Sequence, residues 1–275
     1  MKAFIPKIIG FFINLFGVFS SKYAAQLAIS LFSSPKKGNI KPNEAEYLND
    51  AIHENIACND ITIKTYRWTG NKETILLAHG WESNTYRWKK LINILKDLDY
   101  NVIALDAPAH GDSTGKIFNA LIYAECINKV AKKFEVSTII GHSVGGMATV
   151  IALYNAPLSF TNKIVLLGAP SNFTGVFSRY KNMMGYSQKV SYALDQYILK
   201  NFNHLPDYFS TSNFSKELKA KGLVIHDEED KIIPFQDGLD FKLNYSNATF
   251  ISTKGFGHGL KSDSIYNHII HFLKS

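Results

Sequence analysis

Arginine is scarce in this chain. Only Arg67, Arg87 and Arg179 occur, so nearly all of the formal net charge of +7 is lysine scattered along the 275 residues. Nucleic-acid readers gather Arg and Lys on one face or element, and no such block exists here, which argues against a nucleic-acid partner. Cysteine is nearly absent too. Cys58 and Cys126 stand apart, outside any C-x-x-C pair, which leaves a zinc or dithiol site without support. They read as free thiols, compatible with a reducing compartment. H-E-x-x-H, the P-loop and the dinucleotide fingerprint are all missing, so neither metal nor cofactor is expected. What is present is the composition of a folded domain, 46% hydrophobic and 19% charged.

No apolar run is long enough to span a bilayer as a helix. The best candidate, Ile8 to Phe19, is 12 residues, although no charge appears between Lys7 and Lys22. Lys2 and Lys7 in front of it resemble a secretory signal, but no convincing small-x-small cleavage site follows. Lys7, Gly10, Asn14, Gly17 and Ser21 recur at spacings of three and four, which puts the polar and small residues on one helical face. Lys22, Gln26, Ser30 and Ser33 continue a polar stripe. The expectation is an amphipathic helical segment, residues 1–33, that either packs on the domain or makes peripheral contact with a membrane interface. A signal peptide is the third reading. The expected location is cytoplasmic, with membrane association or secretion as the alternatives.

Pro35 to Pro42 reads as a linker, closing an N-terminal segment of residues 1–42. From residue 43 to 275 short apolar runs alternate with helical patterns. The strands are expected at Ile52–Cys58, Ile61–Trp68, Thr74–Ala78, Asn101–Leu105, Thr138–Ile140, Lys163–Leu167, Leu223–Ile225 and Thr249–Ser252. Continuous apolar strands alternating with helices predict an α/β fold with a mostly parallel sheet and helices on both faces. Such sheets hold their sites beyond the carboxyl ends of the strands. The roughly 50 residues between Leu167 and Leu223 are too many for a plain crossover. Rich in Phe, Tyr and Met, they predict a helical cap insertion at about 171–219.

The strongest chemical signal is Thr138-Ile139-Ile140-Gly141-His142-Ser143-Val144-Gly145-Gly146. A bare G-x-S-x-G arises easily by chance, but here an apolar strand precedes it and a small-residue helix start follows, the context this motif requires. The turn demands little bulk on either side, hence Gly141 and Gly145. Ser143 would sit at the helix N-terminus, where N–H groups favour developing negative charge. A serine hydroxyl needs a base. His258, in Lys254-Gly255-Phe256-Gly257-His258-Gly259, follows the last strand in a flexible loop; a loop histidine without a role is the bland alternative. The third group must be a carboxylate that fixes the imidazole tautomer. His226-Asp227-Glu228-Glu229-Asp230-Lys231-Ile232-Ile233-Pro234 leaves a strand and offers four acids.

From about residue 50 onward the chain resembles the α/β-hydrolase family, its serine esterases and monoacylglycerol-lipase-like members in particular. The family's H-G-x-x-D-x-x-x-P pattern puts the acid on Asp230, with Glu229 and Asp227 as fallbacks. Asp227 stands where glycine is common. The order Ser143, Asp230, His258 is the one this fold uses. The resemblance also implies an oxyanion hole from the N–H of Val144 and the backbone of Trp81, in the loop Ala78-His79-Gly80-Trp81. His79 is expected to be a hydrogen-bonding brace. Asp106-Ala107-Pro108-Ala109-His110-Gly111-Asp112-Ser113 resembles the structural segment D-x-P-G-H-G-x-S, with Ala109 at the usual glycine. The implied function is hydrolysis of a carboxylic ester of a small-molecule acyl substrate through an acyl-enzyme. Thioesterase, lactonase, amidase or C–C hydrolase chemistry on the same residues remains open. So does a catalytically silent scaffold that binds a small molecule or a protein.

Overall fold

Runs such as Thr74–Ala78 and Asn101–Leu105 have no polar face to turn towards water, so they are stable only where both faces are covered. In the computed structural model, which describes residues 4–275, these runs lie in the middle of an eight-stranded sheet. Its strands are β1 (Ile52–Cys58), β2 (Ile61–Trp68), β3 (Thr74–Ala78), β4 (Asn101–Leu105), β5 (Thr138–His142), β6 (Lys163–Leu167), β7 (Lys221–Asp227) and β8 (Ala248–Thr253). Their order is β1-β2-β4-β3-β5-β6-β7-β8. β1 and β2 pair antiparallel, as do β2 and β4, and every other pairing is parallel.

Along the chain the helices are α1 (Phe4–Phe19), α2 (Ser21–Ser33), α3 (Pro42–Leu48), α4 (Lys89–Asp97), α5 (Ala120–Lys133), α6 (Val144–Asn155), α7 (Phe173–Met184), α8 (Gln188–Phe202), α9 (Thr211–Phe214), α10 (Phe235–Asn244) and α11 (Asp263–Lys274). The chain divides into two compact units. One comprises Pro35–Ser171 with Thr211–Ser275, the other the residues up to Ser34 with Asn172–Ser210.

The sheet unit has its core on the faces of β3 to β7, where Leu77, Ile140, Val165 and Ile225 are buried with Trp88, Leu91 and Ile269 from the covering helices. Register sets the geometry of the strand exits. Ala78 pairs with Gly141, Gly141 with Leu166, and Leu166 with Val224, so the carboxyl ends of β3, β5, β6 and β7 share one edge. Helix α3 was not anticipated. The expected linker has no regular structure over residues 34–41, and a helix begins on Pro42, whose fixed φ suits a first helical turn. Cys58 on β1 and Cys126 on α5, far apart in sequence, are buried side by side as free thiols, with the sulfurs 2.6 Å apart.

The second unit is helical, built from α1, α2, α7 and α8. The N-terminal segment is not one helix. Ser20 breaks it, and its hydroxyl accepts the Tyr23 N–H at 3.2 Å to start α2. Ala24, Ala25 and Ala28 of α2 are buried against the long helices, and the Phe32 ring sits 4.7 Å from that of Tyr180. The Tyr180 hydroxyl donates to the Ala28 carbonyl at 2.7 Å. Phe177, Val190 and Leu194 are fully buried. Each such side chain contributes about 1.5–3 kcal/mol relative to exposure.

Candidate functional site

A strand that must become a helix within one residue forces that residue out of the ordinary backbone regions. Ser143, between β5 and α6, has φ 54° and ψ −127°. Such a conformation costs about 1–3 kcal/mol and persists only when its surroundings impose it. Here the Ser143 N–H donates to the Leu167 carbonyl at 2.8 Å, and the Ser143 carbonyl accepts from Gly146 at 2.9 Å. The expected need for small neighbours has a concrete form. A Cβ on Gly145 would lie 2.3 Å from the Ala78 carbonyl oxygen, and one on Gly141 would lie 2.6 Å from the Gly146 backbone.

His258 sits in a short helical turn, Gly257–Gly259, between β8 and α11. Its Nε2 is 3.0 Å from Ser143 Oγ, and its Nδ1 is 2.7 Å from Asp230 Oδ2. The other Asp230 oxygen accepts the N–H groups of Ile232 and Ile233 at 2.8 and 2.9 Å. Burial alone would raise the Asp230 pKa. The hydrogen bonds from His258, Ile233 and Ile232 outweigh it and hold the carboxyl below its ordinary value.

The two fallback acids are elsewhere. Glu229 is exposed. Asp227 is turned towards β8, accepting from the Thr253 hydroxyl at 2.9 Å, the Phe256 N–H at 3.0 Å and the Glu229 N–H at 3.1 Å. Burial opposes its ionisation, but these bonds prevail and lower its pKa as well. A carboxylate whose folded pKa lies below the unfolded ~3.9 stabilises the fold fully above about pH 4, and that contribution is lost as pH falls through the folded value. Thermal unfolding midpoints are therefore expected to drop from about pH 5 downward, and Asp227→Asn should flatten that drop. An identical acid slope in the two proteins would show that Asp227 does not supply it.

Val144 opens α6 directly after Ser143. The Gly80 backbone lies against the Ser143 side chain, and Trp81 follows it in the loop after β3. The Trp81 indole, 37% exposed, meets the edges of His110 and Phe118. His79 is a brace: its Nδ1–H donates to the Gly80 carbonyl at 2.8 Å and its Nε2 accepts from Ala107 N–H at 2.9 Å. Burial pushes its pKa down to about 3, so the ring stays neutral as that pattern requires. Asp106 accepts from Thr85 N–H, Tyr66 OH and Asp112 N–H, which makes it structural. Ala109 adopts φ 61°, the left-handed region, which explains why glycine is usual at this position of the segment.

Three residues near the site escaped the sequence reading. His142 donates from Nε2 to the His258 carbonyl at 2.8 Å, and Arg87 donates to the Gly259 carbonyl at 3.0 Å. Together they hold two of the three carbonyls of the His258 turn. Burial keeps the His142 ring neutral and lowers Arg87 to about 9, still a cation at neutral pH. His226 donates to the Ile233 carbonyl at 3.0 Å and lies 3.6 Å from Asp230 Oδ2, steadying the loop that carries that acid. The available signals were weak: the rarity of arginine for Arg87, and positions inside the two motifs for His142 and His226.

An open pocket of about 340 Å³ lies beside His258, lined in part by Ile232, Phe256, Glu229 and Lys231. A larger one, about 470 Å³, lies among Thr138, Lys163 and Lys221 at the amino ends of the strands, away from Ser143. Chemically, Ser143, His258 and Asp230 place a hydroxyl, an imidazole and a carboxylate in hydrogen-bonding sequence, an arrangement that can move a proton off the hydroxyl.

Comparison with known proteins agrees with the fold. Residues 73–205 match the family model described as "alpha/beta hydrolase fold". The chain is 23% identical over 251 residues to the uncharacterized hydrolase YugF of Bacillus subtilis, covering 74% of this chain and 90% of that protein. It is 30% identical over 104 residues to the monoglyceride lipase of Rattus norvegicus, 34% of each protein. Among solved structures, the esterase EaEST from Exiguobacterium antarcticum superposes with a TM-score of 0.65 at 17% identity, over 82% of this chain and 100% of that one. The sheet, the serine turn at its carboxyl edge and these similarities lead to one assignment: this chain has the α/β-hydrolase fold.

Proposed function

We propose that the protein is a serine hydrolase that cleaves carboxylic esters through an acyl-enzyme, with Ser143 as nucleophile, His258 as base and Asp230 as the orienting acid. The observation that carries this reading is the continuous path from Ser143 Oγ to His258 Nε2 at 3.0 Å and from His258 Nδ1 to Asp230 Oδ2 at 2.7 Å. His258 takes the proton of Ser143 as its oxygen attacks the ester carbonyl. Asp230 keeps the second imidazole proton on Nδ1 and stabilises the imidazolium as it forms. The N–H groups of Val144 and Trp81 receive the oxyanion. His258 then returns the proton to the leaving alkoxide. A water attacks the acyl-enzyme by the same route, with its proton passing to His258 and then to Ser143 as the acid departs.

An ester is preferred over an amide because an alkoxide leaves with less help from the acid than an amine does. The apolar side chains of Ile232 and Phe256 beside His258 suit an alkyl group. The names of two relatives, an esterase and a monoglyceride lipase, point the same way. The test is labelling with a fluorophosphonate, followed by a panel of p-nitrophenyl and glycerol esters of increasing acyl length. We expect one adduct, located on Ser143 by peptide mass. An unlabelled Ser143 in folded protein would overturn the reading in favour of a silent scaffold. Labelling with turnover of acyl thioesters but not of oxygen esters would keep the residues and replace the substrate class.

A further inference from the structure

Helix α1 is inside out for a helix in water. A helix on a water-soluble domain turns its apolar stripe inward and its polar face outward. Here the inward face consists of Gly10, Ile13 and Gly17, which are buried, with Asn14 beside them. Asn14 is used entirely within the helical unit: its Nδ2 donates to the Gly185 carbonyl at 2.9 Å, and its Oδ1 accepts the Ser187 N–H at 2.8 Å. Gly10 lets the helix touch the end of α7, since a Cβ there would overlap the Met184 carbonyl oxygen. The outward face carries ten exposed large apolar side chains, among them Phe11 at 63%, Phe12 at 53%, Phe16 at 50% and Phe19 at 84%. Small residues inward and large apolar residues outward is how a helix is arranged when its outer surroundings are lipid. Monomers in water rarely expose a contiguous apolar patch larger than a few hundred Å².

We propose that the outward face of α1 docks on an anionic lipid bilayer, with the helix lying in the plane of the interface. Length favours lying over crossing. Sixteen residues make a helix roughly 24 Å long, less than the ~30 Å hydrocarbon core, and among the described residues no helix is long and apolar enough to cross a membrane. Charge identifies the partner. The residues up to Ser34 together with Asn172–Ser210 contain seven Lys and Arg against two acids, Asp195 and Asp207, so five of the chain's seven net positive charges belong to this unit. Residues 1–34 contain no acid at all. Lys7, Lys22 and Lys189 are exposed. A cationic surface with an apolar helix is attracted to anionic headgroups. A second copy of the same unit would instead bring like charges together, which disfavours self-association as the use of this face.

The test is co-sedimentation of the full chain with vesicles of phosphatidylcholine mixed with phosphatidylglycerol, and of phosphatidylcholine alone. Binding is expected to the mixed vesicles, weaker to the neutral ones, and reduced by salt. Phe12→Asp with Phe16→Asp should lower partitioning at least about tenfold, with thermal unfolding and ester turnover unchanged. Lys7→Glu with Lys22→Glu leaves the apolar face intact and should weaken binding to the anionic vesicles alone, so it decides the matter if the first variant misfolds. Absence of binding to either vesicle, or binding that both variants retain, would overturn the proposal. A dimer of the natural chain that Phe12→Asp dissociates, without vesicle binding, would assign the face to a second copy and overturn it equally.

Discussion

Ser143→Ala is expected to lower ester turnover by about 10⁵–10⁶-fold, the scale of losing the nucleophile of a serine hydrolase. The fold should be nearly indifferent. Alanine keeps the Cβ that packs against Gly80 and loses only the hydroxyl bonded to His258, a net change of about 1 kcal/mol or less. Because Ser143 sits at φ 54°, Ser143→Gly should be equally inactive and more stable than the alanine variant by about 1 kcal/mol. That gain would measure the strain held at this position. Turnover of p-nitrophenyl esters and thermal unfolding on the three proteins check both halves. Turnover retained in either variant would remove Ser143 from the chemistry.

Asp230→Asn should cost about 10⁴-fold in kcat. The asparagine oxygen can still accept from Ile232 and Ile233, so its amide would face His258 Nδ1 and donate to it. The ring proton is then driven to Nε2, the atom that must accept from Ser143. Asp227→Asn should lose stability instead, about 1–3 kcal/mol, because Thr253, Phe256 and Glu229 all donate to that carboxylate. Glu229→Gln, at an exposed position, should change neither. Equal, small activity losses for all three would mean that the acid lies elsewhere.

What the sequence determined by itself is local. Strand positions were legible because a parallel strand covered on both faces reads as an unbroken apolar run, and five of the eight expected strands, Thr74–Ala78 among them, have the observed bounds at both ends. Ser143 was legible because strand, turn and helix are contiguous, and the sharpness of that turn dictates glycine on both sides within five residues. Other features depend on groups that meet only after folding. Four acids within four residues have the same composition and local pattern. The H-G-x-x-D spacing pointed to Asp230, but the physical reason is tertiary: Asp230 meets His258 while Asp227 is held by Thr253 and Phe256 across the β7–β8 edge. Arg87 and His142 hold the His258 turn from 172 and 116 residues away, so nothing local marks them. The face of α1 is the clearest case. The three- and four-residue spacing of Gly10, Asn14 and Gly17 defines two faces but not which one turns inward. That was decided by the α7–α8 turn, whose Gly185 carbonyl and Ser187 N–H satisfy Asn14 and whose backbone comes too close for any side chain larger than glycine's.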